Sequence, residues 1–369
     1  MSVRAPEARF ETPSSPGRSA PKRGPNLLGG AWYPPFLLFL AALLVFSGLV
    51  ALSIGAVSIP LAEVWRIVLR HLTPGGEKST AVQDRIIWTF RAPRVVLAMV
   101  AGAGLSVAGT ALQALVRNPL ADSYILGVNQ GAALGAVAVL VLGSSALGGV
   151  GVSTAAFVGA MVALALVFLL GQRGGRSNPT RLILAGVAIG QLLSAATSYL
   201  VIHANTQALT GVLFWLLGSF SGAKWSQLPI PAGVVLATTG WLILQRRGLN
   251  ALLMGDESAS ALGVNLYRFR VKLLIACALV SGTIISVAGS IGFVGLMIPH
   301  IARLLVGADH RRVLPVAALL GASYLVWVDL AARTFERPAE LPIGIFTALL
   351  GAPFFLWLMR RRDRRGVVA

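Results

Sequence analysis

Residues 90–127 read FRAPRVVLAMVAGAGLSVAGTALQALVRNPLADSYILG, and the kind of protein this chain makes is decided there. Arg91 and Arg94 flank Pro93 at the start, and no further charge appears before Arg117. An uncharged run of that length crosses a bilayer core at about 1.5 Å per helical residue. The run ends in Asn118-Pro119, and because proline disfavours helix in the residue before it and donates no amide, the helix is expected to stop near Asn118 and the chain to turn back through Asp122. Between these ends the sequence is small: Gly102, Ala103, Gly104, Ser106, Ala108, Gly109, Thr110. Small residues let membrane helices approach closely, so this is expected to be an interior helix of a bundle.

Part of the stretch recurs. Ser106-Val107-Ala108-Gly109-Thr110 returns as Ser286-Val287-Ala288-Gly289-Ser290, and each glycine is followed ten residues later by a proline, Pro119 and Pro299. The fold expected is therefore an all-α polytopic membrane protein of about ten transmembrane helices with an internal inverted repeat, as transporters use to build a path between two halves. Bulk properties agree: 56% of the 369 residues are hydrophobic and only 12% charged, with a mean hydropathy of +0.78. The net charge of +18 does not point to nucleic acid, because the basic residues gather at span ends and on both tails, with no basic surface interleaved with stacking aromatics. Cys277 is the sole cysteine, which excludes an internal disulfide and a cysteine-based metal site.

Residues 1–35 are rich in Pro, Ser, Gly and Arg and are expected to form a disordered basic tail. A membrane domain follows over 36–360, and 361–369 close the chain as a second basic tail. Spans are expected at 36–57, 93–114, 122–142, 152–170, 181–203, 229–245, 271–289, 291–306, 313–332 and 342–359. An even number of spans puts both termini on one side. That side collects 22 of the 31 lysines and arginines against 9 on the other, so the positive-inside rule makes the termini cytoplasmic and places Arg91, Arg94 and Arg333 outside. Residues 208–222 are apolar but too short to span, and are expected as a half-helix on the external side. The longest cytoplasmic connection, Arg246 to Lys272, carries at 254–264 an amphipathic segment whose Met254, Leu262 and Val264 need cover, for which a partner protein is the natural source.

Catalytic patterns are missing: no HExxH, no paired intramembrane carboxylates, no nucleophile beside a base, no acidic metal cluster. An enzyme is not expected, and no resident cofactor or metal. Asp329 is the one acid well inside an expected span, with Arg333 four residues on along the same helical face; a local ion pair and proton coupling are the two readings. Gln113, Asn129, Gln130, Gln191 and Ser194 fit either a pore lining or helix-to-helix hydrogen bonds, and His203 either an interfacial role or contact with a metal complex. A transporter without its own ionisable drive needs energy from elsewhere, and the 254–264 segment is the expected place for a motor subunit to press.

RAPR at 91–94, GAGLSVAGTALQALVRNPLADSYILGVNQGAALGA at 102–136, GSIGFVGLMIPHIARLLVGADHRRVLP at 289–315, DLAAR at 329–333 and AELPIGIFTALLGAPFFLWLM at 339–359 resemble the permease subunits of bacterial type II ABC importers for iron-siderophores, haem and vitamin B12. The resemblance implies a homodimer in the bacterial inner membrane, two ATP-binding-cassette ATPase subunits beneath it that consume the ATP, and a periplasmic substrate-binding protein above. It implies that Arg91, Arg94 and Arg333 receive acidic residues of the binding protein. Asn118 and Leu120 match its cytoplasmic gate, and Asn178, Pro179 and Thr180 stand at a second gate, where Pro179 departs from the family's small polar residue. The segment with Gly255, Asp256, Glu257, Ser258, Ala259, Ala261, Leu262 and Gly263 resembles the helix that seats in the ATPase. The fifth and tenth spans, with the half-helix, resemble the translocation path. FWLLGSFSGAKW at 214–225 is most similar to haem permeases, making haem the expected cargo, ahead of a ferric siderophore or cobalamin; a stand-alone ion-coupled carrier is the alternative of a different class.

Overall fold

The helix predicted from 93 begins at Val82 and runs to Val116, 35 residues or about 52 Å, longer than the ~30 Å hydrocarbon core. In this computed structural model, which describes residues 30–55, 57–73, 82–173, 176–177, 179–263 and 265–366, it is the axis of the bundle. The early start comes from a π-helical stretch, Arg85–Arg91, ahead of Pro93. In that register the amide of Ala92 reaches Ile87 O, and the next donor, due at Trp88 O, would be residue 93. Proline has no N–H to give. The vacancy is filled from outside the helix by Trp225 Nε1, which donates to Trp88 O at 2.8 Å.

The helices are α1 Tyr33–Ser53, α2 Leu61–Leu72, α3 Val82–Val116, α4 Val128–Leu142, α5 Val152–Gly171, α6 Pro179–Ile202, α7 Thr206–Leu217, α8 Pro229–Leu244, α9 Arg246–Leu253, α10 Asp256–Ala261, α11 Leu266–Ala288, α12 Val294–Val306, α13 His310–Ala332 and α14 Ile343–Gly366. A two-residue antiparallel ladder, Gln172–Arg173 with Arg176–Ser177, joins α5 to α6. Every expected span overlaps a helix, though the one expected from 122 becomes α-helical only at Val128, after a 3-10 turn at Ser123–Leu126; α1, α3, α5, α6, α8, α11 and α13 are long and apolar enough to cross a membrane, while α4, α12 and the apolar part of α14 are shorter. The helix α14 continues through Arg360–Arg365 to Gly366, where the sequence suggested a tail from 361. Arginine is a good helix former and cations suit a helix C-terminus, so nothing in that run stops it.

Packing around α3 follows from the small residues. A Cβ placed on Gly102 would lie 2.0 Å from Gly321 O of α13, and one on Gly109 would lie 2.0 Å from Gly295 O of α12. The helices meet backbone to backbone at both crossings, which is why 78% of the apolar window of α3 is buried, against 17% for α6. Gly131 and Gly159 bring α4 and α5 together in the same way. The two copies of the repeated pentapeptide occupy different settings: Ser106–Thr110 lies mid-helix in α3, whereas its partner straddles the end of α11, which Gly289 terminates at φ +71°.

The short apolar segment forms α7, capped by Asn205 Oδ1 on Ala208 N at 2.8 Å and ended by Gly218 at φ +75°. The end of α7 is stitched to two other chain breaks. Trp215 O accepts from Ser290 N, Gly218 O accepts from Ile343 N, and Ser219 N donates to Ala288 O at 2.8 Å. A half-helix inside a membrane must dispose of its last carbonyls, and the interruptions before α12 and α14 supply the donors.

Candidate functional site: an arginine cluster and a gate-like turn at opposite ends of α3

The N-terminal end of α3 gathers the three arginines that the sequence singled out. Arg91 Nη1 donates to Leu52 O at 2.7 Å and Ser53 O at 3.1 Å, and Nη2 to Val57 O at 2.5 Å. Arg333 Nη2 donates to Ala51 O. Together they satisfy the C-terminal carbonyls of α1, where cations are also favoured by the helix dipole. Arg94 is a fork. Its Nε lies 2.9 and 3.1 Å from the two Asp329 oxygens, and its Nη1 2.9 Å from both Glu340 oxygens. Asp329 was expected to pair with Arg333, but that contact is 3.6 Å; the closer partner comes from the other helix. All three arginines are less than one-tenth exposed, and burial pushes the Arg333 guanidinium down to about 10, with Asp329 pulling the other way, so it stays protonated at neutral pH. Glu340, with 40% of its side chain exposed, was invisible in the sequence because it lies beyond α13 and reaches back across the fold.

The C-terminal end of α3 carries the turn. Arg117 takes a left-handed conformation (φ 55°, ψ 33°) and ends the helix. Asn118 Oδ1 then accepts from Leu120 N at 2.9 Å and Asn118 O from Ala121 N at 3.1 Å, leaving the Leu120 side chain 53% exposed. Of the second gate, Asn178 lies outside the described residues, and Pro179 and Thr180 open α6. The residues Gly255 to Gly263 lie at this same end. Gly255 takes φ +108° and Asp256–Ala261 form the six-residue α10. Met254 and Leu262 are 69% and 67% exposed, while Ala259 is fully buried. A pairing missed by sequence reasoning joins the two features: Asp256 Oδ1 lies 3.1 Å from Arg117 Nη2 and 2.8 Å from Arg270 Nη2.

The other polar candidates sort themselves. Gln113 holds helices together, its Nε2 donating to Gly295 O at 3.0 Å and its Oε1 accepting from Arg303. Asn129 is buried, and Gln191 and Ser194 are exposed on α6. The Nδ1 of His203 is 2.9 Å from Tyr199 O, with the two rings 4.5 Å apart. Among the described residues no group of three or more His, Cys, Asp or Glu side chains is placed to hold a metal ion.

The beginning of α1 lies beside the beginning of α13, with Tyr33 Oη donating to Arg311 O at 3.4 Å and the Arg312 guanidinium 5.6 Å from the Tyr33 ring. Helix α14 starts near the Glu340 end and runs away from it. Both ends of the described chain thus fall on the side of Asn118 and α10, opposite the arginines.

These features make a polytopic helical bundle with a buried ionic cluster at one end and an exposed apolar segment at the other. The chain belongs to the FecCD transport family, whose model matches residues 43–361. It is 40% identical over 346 residues to the hemin transport system permease protein HmuU of Yersinia pestis, covering 92% of this chain and 99% of that one. It is 43% identical over 282 residues to the cobalamin import system permease protein BtuC of Halobacterium salinarum, covering 76% and 75%. A solved structure described as an inward-facing metal-chelate type ABC transporter superposes with a TM-score of 0.77 at 34% identity, over 89% of this chain and 100% of that one. The chain is accordingly the permease subunit of an ABC importer, a polytopic membrane protein, and in this family ATP hydrolysis resides in a separate subunit.

Proposed function

We propose that this chain is the permease of a haem importer in a bacterial inner membrane. It works as a homodimer with both termini cytoplasmic, two ATPase subunits below and a periplasmic binding protein above. The observation that supports haem is the similarity to the hemin permease, 40% identical over 99% of that protein, joined to the segment FWLLGSFSGAKW at 214–225; vitamin B12 permeases are matched at comparable identity, 35–43%, over 75–96% of their length. The excess of basic residues on the side of α10 supports the orientation. The second copy sits across α6 and α14, whose Leu184, Leu192, Leu349 and Leu356 are each more than half exposed. Met254 and Leu262 supply the apolar surface for the ATPase, with the segment Gly255 to Gly263 seated against it. Asn118, Leu120, Asn178, Pro179 and Thr180 form the cytoplasmic constrictions. Arg91, Arg94 and Arg333 mark the docking end, where acidic residues of the binding protein meet a cluster whose charges are already balanced in part by Asp329 and Glu340. Weak retention in the permease is sufficient, since the binding protein captures the cargo and the path has to let it go.

The test is a ligand panel against the cognate binding protein, followed by absorbance. A Soret band on addition of haemin, and no capture of a ferric siderophore or of cobalamin, is the expected result. Capture of either alternative with no Soret band overturns the haem assignment.

A further inference from the structure

We propose that Asp256 is a positioning residue that carries movement of the ATPase-facing segment directly to the gate-like turn at Asn118–Leu120, through its ion pair with Arg117. This rests on the reading of the chain as an ATP-driven permease and adds a path for the force.

The junction is built from three separate parts of the chain. One carboxylate oxygen, Asp256 Oδ1, sits between Arg117 Nη2 at 3.1 Å and Arg270 Nη2 at 2.8 Å. Asp256 opens α10, Arg117 closes α3, and Arg270 lies in the second turn of α11. The turn beyond Arg117 is a stiff unit: Pro119 has a fixed φ, and Asn118 is tied to both Leu120 N and Ala121 N. A pull on the Arg117 side chain therefore moves the turn as a body and not one bond at a time. On the other side, Gly255 at φ +108° brings the α10 backbone close enough that a Cβ there would lie 3.8 Å from Arg117 Nη1.

The second arginine fixes the direction of that pull. Arg270 is buried, and with Asp122, Leu115 and Ala121 it lines a pocket directly behind the turn. Asp256 is thus held on one side by a buried guanidinium and on the other by a partly exposed one, while Met254 and Leu262 beside it present the apolar surface that a partner covers. Stability alone is a poor reason for the Arg117 contact. Both side chains are about two-fifths exposed, and ion pairs of that exposure add little to folding. The pair can bias the turn by no more than its own small interaction free energy, which is enough for a coupling of a few fold between the segment and the turn.

A cargo-independent readout tests this. Leu120→Cys is labelled with an environment-sensitive fluorophore, Cys277 being fully buried, and the complete complex of permease, ATPase and binding protein is reconstituted. The fluorescence change on ATP with vanadate trapping is then recorded. Arg117→Gln is expected to cut that change at least threefold while ATP hydrolysis and co-purification with the ATPase persist, and Arg117→Lys is expected to retain it. Asp256→Asn, run beside it, is expected to lose the change as Arg117→Gln does. A full change in both Arg117→Gln and Asp256→Asn overturns the bridge and leaves the importer reading standing. The absence of any ATP-dependent change with the bridge intact shows a turn that the ATPase does not move and overturns the bridge alone, whereas cargo uptake that proceeds without ATP overturns the ATP-driven reading.

Discussion

Replacing Asp329 by Asn tests the ionic cluster at its centre. The carboxylate is 1% exposed and lies between Arg94, at 2.9 Å, and Arg333, at 3.6 Å. Removing one partner of a buried ion pair costs about 3–5 kcal/mol, because the opposite charge stays behind without compensation. Arg94 keeps Glu340, so the low end applies, about 3 kcal/mol. With an unfolding entropy of about 2.1 cal/mol/K per residue over 369 residues, that is a fall of about 4 °C in melting temperature. The chain carries its own reporter: Cys277 is the sole cysteine and fully buried, so a thiol-reactive dye lights up only when the bundle opens. Glu340→Gln is the control, since 40% of that side chain is exposed and its loss should shift the melt by under about 1 °C. If Asp329→Asn melts within about 1 °C of the parent, the argument for Asp329 as a structural counter-ion fails. A stable variant that hydrolyses ATP but no longer moves cargo would instead assign the carboxylate to transport.

Packing and charge give two more expected outcomes. Gly109→Leu is expected to abolish recovery of folded protein, because its side chain has no room against Gly295 O, whereas Gly240→Ala, with open space at its Cβ, should be neutral or raise the melt slightly; equal yields of the two by size-exclusion chromatography would contradict the close crossing. Asp309 caps α13, accepting from Arg311 N at 2.9 Å and Asn250 Nδ2 at 2.8 Å. Burial works to raise its carboxyl, but these hydrogen bonds and the neighbouring His310 and Arg312 outweigh it and hold it below the ordinary 3.8. A depressed carboxyl contributes stability that is fully present above the unfolded value and is lost as pH falls through the folded one. Asp309→Asn, which can still cap, is expected to flatten that acid limb of the melting curve; an unchanged limb would show that other groups set it.

The candidate site was legible in its local parts and illegible in its long-range ones. The small-residue shaft, the stop at Asn118-Pro119 and the amphipathic 254–264 segment are set by neighbours within a few residues, and periodicity and proline chemistry report them. The partners are another matter. Arg94 and Glu340 are 246 positions apart, and Arg117 and Asp256 are 139 apart, so no window of sequence joins them. The pairing of Asp329 shows the limit well: spacing along one helix offered Arg333, and the bundle supplied Arg94 at shorter range. Ala259 likewise reads as part of an exposed segment and is buried in the fold.

By itself the sequence determined the solvent this protein lives in, the positions of its membrane helices, which end of the bundle collects the positive charge, and that α3 lies inside. Each of those depends on how many apolar or small residues run consecutively, a property that transfer into lipid reads directly. Only the tertiary structure decided that Arg91 and Arg333 close the end of α1, that the half-helix α7 is capped by two distant chain breaks, and that Asp256 at the start of α10 meets Arg117 at the end of α3. These depend on buried polar groups finding partners where water cannot serve them, and the choice of partner is made by the crossing of helices, not by the order of residues along any one of them.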